Sequence, residues 1–177
     1  MIPASRILEN CLRRCRGLGV PPTRFVLIVS VANQSVQLFE QVRSSVRTFR
    51  CSTSRFGIGQ QEDSNCTPLG LHRVAEKIGG GWPVGTVFKS RQAIGFTWKE
   101  IPSATITNRI LWLEGLEPGF NRDGNVDSHR RYIYIHGTGD ETTLGRPASC
   151  GCIHLAADDL IPLFDKLPVG TLVWIER

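Results

Sequence analysis

The feature that most restricts how this chain folds is a series of short apolar runs, rich in β-branched and aromatic residues and cut off by turn residues. Phe25-Val26-Leu27-Ile28-Val29 is continuous, Val36-Gln37-Leu38-Phe39 alternates, and Ile110-Leu111-Trp112-Leu113 and Tyr132-Ile133-Tyr134-Ile135 are continuous again. Runs of this length read as strands, and none is long enough to span a bilayer. Strands are predicted over Phe25–Val31, Ser35–Glu40, Val46–Ser52, Leu71–Ile78, Ile106–Leu113, Tyr132–Ile135 and Thr171–Ile175, with Ala32-Asn33-Gln34 as the first turn. Gly79-Gly80-Gly81 and Pro83 mark a flexible region up to about Val87, and Ile94–Ile101 has little periodicity. Helical spacing appears in two places. Ile7, Leu8, Cys11, Leu12 and Cys15 recur before Gly17, Gly19 and Pro21-Pro22, and Ala156–Phe164 reads as a short helix. The chain is therefore expected to be mainly β with a few short helices: an N-terminal helical extension over 1–24 docked on one domain over 25–177.

Composition narrows the function less. The 177 residues carry a net charge of +5 and a pI near 9.1. Nucleic acid, anionic lipid and anionic cell-wall polymer all suit a basic chain. No nucleic-acid-binding motif is present, so no nucleic-acid partner is expected. Six cysteines in a chain of this size do not form a secreted mini-protein pattern, and Cys51 and Cys66 read as small buried apolar residues. Phe25–Val29 follows arginines as a signal segment does, but it flows into Ser30-Val31 and an alternating stretch, which reads as a hairpin. No signal peptide is evident, and the sequence does not set the oligomeric state.

The chemistry concentrates between Arg131 and Leu155. The strand Tyr132–Ile135 delivers His136, the chain breaks at Gly137 and Gly139, and a polar loop leads to Ser149-Cys150-Gly151-Cys152-Ile153-His154. A histidine at a strand end and a cysteine behind a glycine point to a nucleophile and its base, because a thiol needs a base or cation to become a thiolate near neutrality. Gly151 permits a tight turn and is expected to leave its N–H free for a developing oxyanion. Cys150, Cys152, His136 and His154 are also the donor types of a zinc site, but a Cys-x-Cys pair lacks the spacing of zinc knuckles. Asn121, Asp123 and Asn125 hint at a calcium loop without its glutamate. Neither a metal nor an organic cofactor is expected.

His136-Gly137 followed by Ser149-Cys150-Gly151-Cys152 resembles the active-site signature of the L,D-transpeptidase (YkuD) family, a histidine-glycine and then Ser/Thr-x-Gly-Cys. Thr67-Pro68-Leu69-Gly70 is similar to the family's Thr-Pro-x-Gly element, and the resemblance runs from about Phe25 to Arg177. It implies a β-sandwich domain in which Cys152 is the nucleophile and His136 the base. His136 would be held through its second ring nitrogen by a carbonyl or hydroxyl, with Ser149 supporting it or touching substrate. Gly151 and Cys152 N–H groups would stabilise the oxyanion, and Gly137, Cys150 and His154 would line the substrate site. Trp82, Phe96 and Trp98 would edge a groove. The implied partner is a peptidoglycan stem tetrapeptide, cleaved with loss of D-alanine and joined in a 3→3 cross-link.

Three positions depart from that pattern. His154 stands where arginine is common, and Ala157 where asparagine is; Cys150 takes a place often held by histidine. Arginine is a permanent bidentate cation, whereas histidine titrates near neutrality, so substrate choice is the property these departures affect. Resolution of the thioester by water, giving a carboxypeptidase or amidase, stays open, as does a wall-binding module without catalysis. By resemblance the chain belongs in the cell envelope or periplasm. With no signal peptide evident, an unusual export route, a misassigned start and cytoplasmic work on recycled peptides all stay open.

Overall fold

In a computed structural model, residues 4–41, 45–99, 101 and 105–177 are described; Met1–Pro3 of the N-terminal segment and Glu100 within the aperiodic 94–101 stretch fall outside. A helix, α1 (Ala4–Gly17), is followed by β1 (Phe25–Ser30), β2 (Ser35–Glu40), β3 (Ser45–Ser52) and β4 (Gly70–Ile78). Then come β5 (Thr86–Lys89), β6 (Gln92–Phe96), β7 (Thr107–Gly115), β8 (Tyr134–Gly137), β9 (Ile153–Leu155), α2 (Ala157–Lys166) and β10 (Leu172–Glu176). The strands pair in the order β4-β10-β1-β2-β3-β9-β8-β7-β5-β6, and β4 also pairs with β7. That last pairing joins the two faces of the predicted β-sandwich into a closed ring, with β5 and β6 hanging outside it.

The continuous run of β1 has a physical explanation. Phe25, Leu27 and Val29 face the main core, where they meet Val36, Leu38, Leu111, Leu113, Ile135, Ile153 and Ile175. Val26 and Ile28 point the other way, into a second cluster with Ile7, Cys11 and Cys15 of α1. A strand covered on both faces needs apolar residues at every position, and each buried side chain of this kind contributes roughly 1.5–3 kcal/mol. α2 closes the main core with Leu160, Leu163 and Phe164, spaced on one helical face.

Alternation then builds the functional face. On β8, Ile135 enters the main core, while Tyr134 joins a third cluster with Phe88, Ile110 and Trp112, against which Cys152 packs. Period-2 geometry puts His136 on the same side as Tyr134. β9 runs parallel to β8 with His136 opposite His154, and Ile153 and Leu155 again fill the core. Two histidines thus project together from neighbouring strands.

Three sequence expectations need adjustment. Tyr132 and Ile133 precede β8 rather than belonging to it: Tyr132 has φ 55° and its side chain is exposed. The stretch beyond Gly79 is not all loop, since β5 and β6 form a hairpin there. Its tip, Ser90-Arg91, has φ 48° and 67°, the pattern of a type I′ turn without the usual Asn or Gly. Arg91 anchors that tip by lying over Trp112 and Tyr132 at 4.8 and 5.1 Å and donating to the Tyr134 hydroxyl. Finally, β9 is a three-residue strand inside what reads as loop. Among the described residues, no helix is long and apolar enough to cross a membrane.

Candidate active site

A cavity of about 410 Å³ opens beside the turn 149–152, lined by His136, Ser149, Cys150, Cys152 and His154 together with Arg55 and Ile106. Five of the seven site residues expected from sequence therefore share one space. Gly137 lies instead within β8, where a Cβ would come within 2.6 Å of the Asn108 amide, so no side chain fits. Its carbonyl accepts a hydrogen bond from His136 Nδ1 at 2.8 Å. A carbonyl can only accept, so Nδ1 carries the proton and Nε2 presents its lone pair, as a general base requires. His136 is buried, and desolvation, with His154 next to it, pulls its pKa down to about 3. The two imidazole rings lie 4.7 Å apart.

Gly151 adopts φ 122°, a conformation L side chains rarely adopt, and this sets the turn before Cys152. The turn is braced from both sides. Ser149 Oγ donates to the Cys152 carbonyl at 2.6 Å and accepts the Gly151 N–H at 3.2 Å. Thr67 Oγ1 accepts the Ser54 N–H and donates to the Gly151 carbonyl at 3.0 Å, which gives the Thr-Pro-x-Gly element its structural place. The expected free Gly151 N–H is thus already used by Ser149, because the tight turn brings that hydroxyl under it. The Cys152 N–H has no partner among the described residues. No hydrogen bond joins Ser149 to His136 among the described residues; Ser149 shapes the turn.

Cys152 is half-buried and Cys150 exposed. Cys152 Sγ donates to the Tyr132 carbonyl and accepts the Tyr134 N–H, each at 3.4 Å. No hydrogen bond joins it to His136 among the described residues, so the thiolate–imidazolium pair is not preformed. Burial pushes the thiol up to about 11, opposed by the Tyr134 N–H and by the Arg131 guanidinium, while Cys150 adds to the rise. Arg131 is one residue the sequence reading missed. It donates to the carbonyls of Gly59, Gln60 and Cys66 and so clamps the 59–66 loop beside the thiol. Arg55 is another; neither sits in a recognisable motif.

His154 is half-buried, its pKa is lowered by burial to about 4, and its Nδ1 is enclosed without a partner. Among the described residues, no three metal-ligating side chains gather as a metal site. Trp82 and Trp98 are exposed, with Trp98 stacked on Phe96 at 4.6 Å, and none of the three lines the cavity.

Known proteins resemble this chain in sequence and in fold. The chain is 34% identical over 124 residues to the probable L,D-transpeptidase ErfK/SrfK of Escherichia coli, covering 64% of this chain and 38% of that protein. It is 40% identical over 57 residues to the putative L,D-transpeptidase YqjB of Bacillus subtilis, covering 32% and 31%. The chain thus spans about a third of the length of these curated relatives. The fold is shared with L,D-transpeptidase 3 of Mycobacterium tuberculosis, with TM-score 0.56 and 13% identity over 87% of this chain and 61% of that one. Bd1075 of Bdellovibrio bacteriovorus shares it too, with TM-score 0.54 and 15% identity over 87% and 48%. The model of the L,D-transpeptidase catalytic domain, YkuD, matches residues 24–175, and the chain belongs to that family.

Proposed function

We propose that the chain is a cysteine acyltransferase of the cell envelope that joins peptidoglycan stem peptides. The observation that carries this reading is the single cavity shared by His136, with an Nε2 lone pair, and Cys152, with an unused backbone N–H. At rest both partners are neutral, since burial holds the thiol high and the imidazole low. Proton transfer between them is uphill until a substrate carbonyl occupies the cavity. Rotation about the Cys152 side chain turns Sγ from the Tyr132 carbonyl towards His136, which takes the proton as sulfur attacks. The Cys152 N–H then stabilises the tetrahedral oxyanion, a contribution of about 3 kcal/mol for a well-placed donor. His136 returns the proton to the departing D-alanine amine, leaving a thioester. The amine of a neighbouring stem, deprotonated by His136, attacks that thioester and forms the 3→3 amide as the C–S bond breaks, and His136 returns the proton to the released Cys152 sulfur.

Intact-protein mass spectrometry after incubation with a disaccharide tetrapeptide tests this, with Cys152→Ala and Cys150→Ala as controls. The expected result is an acyl adduct lost in Cys152→Ala and kept in Cys150→Ala, with a cross-linked dimer in solution. An adduct that yields only trimmed tripeptide makes the protein a hydrolase. No adduct on folded protein sinks the substrate assignment.

A further inference from the structure

We infer that Arg55 forms an anion subsite in the catalytic cavity and binds a carboxylate of the substrate beside Cys152. Among the described residues lining that cavity, Arg55 is the one with a fixed charge, and no carboxylate lines it. Its guanidinium lies 5.0 Å from the Phe56 ring centre and has no ion pair or side-chain hydrogen bond among the described residues. The N–H donors of its planar fork are therefore open to a ligand.

The backbone under this side chain is fixed to the nucleophile turn. The Arg55 N–H donates to the Ser149 carbonyl at 3.1 Å, and Ser54 bridges Ser149 in parallel register. Ser54 is itself tied to Thr67 Oγ1 and to the Asn65 carbonyl. Arg55 thus starts from a segment registered three residues from Cys152. Position 154, where the family resemblance leads one to expect arginine, holds a neutral imidazole with one ring N–H and no charge to offer. The cavity still presents a cation, but from the segment that follows β3 rather than from β9. Bidentate charge-assisted bonds to a carboxylate are the chemistry such a group supplies.

This deepens the acyl-transfer reading and rests on it for the identity of the natural carboxylate; the anion preference itself stands on the cavity alone. The test compares alkylation of Cys152 by iodoacetate and by iodoacetamide, probes of similar size that differ in charge. It is run on the wild type, Arg55→Gln and Arg55→Lys, with fragment mass spectra separating Cys152 from Cys150. The iodoacetate-to-iodoacetamide rate ratio at Cys152 is expected to fall about tenfold in Arg55→Gln and clearly less in Arg55→Lys, for a charge acting across a partly solvated cavity. The iodoacetamide rate should not change, because Arg131 and not Arg55 is the arginine that acts on the thiol. An unchanged ratio in Arg55→Gln, or an equal fall in both rates, overturns the subsite.

A second arm uses stem tetrapeptides with free and amidated carboxylates. Wild type should prefer the free acid, and Arg55→Gln should raise KM for it with little change in kcat. Acylation of both peptides equally overturns the subsite while leaving acyl transfer intact. Acylation of neither, with the iodoacetate preference retained, supports the subsite and removes the acyl-transfer reading.

Discussion

His72 and His136 are both buried histidines on strands that flank β7, and burial pulls both well below the ordinary imidazole value, to about 4 and about 3. Their surroundings differ in one respect. His72 Nδ1 donates to the Gly70 carbonyl at 3.0 Å and Nε2 accepts from Ser128 Oγ at 2.9 Å, so the ring is satisfied at both ends. The same corner is closed throughout: Asn121 donates to the Leu69 and Leu71 carbonyls and accepts the Glu117 N–H, while Glu117 accepts from Leu71 and pairs with Arg14. Among the described residues, the cavity corner leaves groups open: Nε2 of His136, Nδ1 of His154 and the Cys152 N–H. A displaced pKa alone therefore does not mark a catalytic candidate; a displaced pKa together with an open valence beside a cavity does.

The comparison can be pressed from the open side first. With its thiol near 11, Cys152 should react with iodoacetamide about tenfold faster for each pH unit between 7 and 10, close to a thousandfold in all. Rates that level off below pH 9 would show that the thiolate is already stabilised at rest. Both corners respond to acid. His72, His136 and His154 have folded pKa values below the ordinary 6.5, so the unfolded chain takes up protons that the folded chain refuses. Their contribution to stability is complete above pH 6.5 and is lost as pH falls towards 4, at about 3 kcal/mol for each histidine. Urea unfolding at pH 7, 6 and 5 measures this, and His72→Gln should flatten the fall by about a third. The closed corner is broken most directly by Asn121→Ala, which strands buried partners and should cost about 2–3 kcal/mol in urea unfolding. A cost under 0.5 kcal/mol would mean the network is slack.

The legible part of this protein was the part written in period and punctuation. β1, β2, β3, β4, β7 and β10 follow runs of apolar residues between turns, and α2 follows its helical stripe. The β5–β6 hairpin was hidden because Ser90-Arg91 takes a left-handed turn without Asn or Gly, stabilised by Arg91 stacking on aromatics distant in sequence. β9 is too short to show a period; its place comes from pairing with β3 and β8. At the candidate site, the motif named the residues that share the cavity but not their bonding. Ser149 bracing the turn, the Sγ contact to Tyr132 and the approach of Arg55 all depend on tertiary placement, which no local pattern encodes.

The parallel pairing of His136 with His154 has a consequence for how the chain tolerates change. Because β8 and β9 run parallel, the segment between them leaves at Gly137 and has to travel back along the pair to re-enter at Ile153, which stands opposite Ile135. On that return it is tied to its neighbours: Glu141 accepts the Ala157 N–H, Gly145 donates to the Cys51 carbonyl and the Arg146 carbonyl accepts from Ser52 Oγ, so a change of length there pulls on β3 and α2. A single-residue slip in β9 is a different matter: it would turn His154 into the core and bring an aliphatic side chain out to face the cavity.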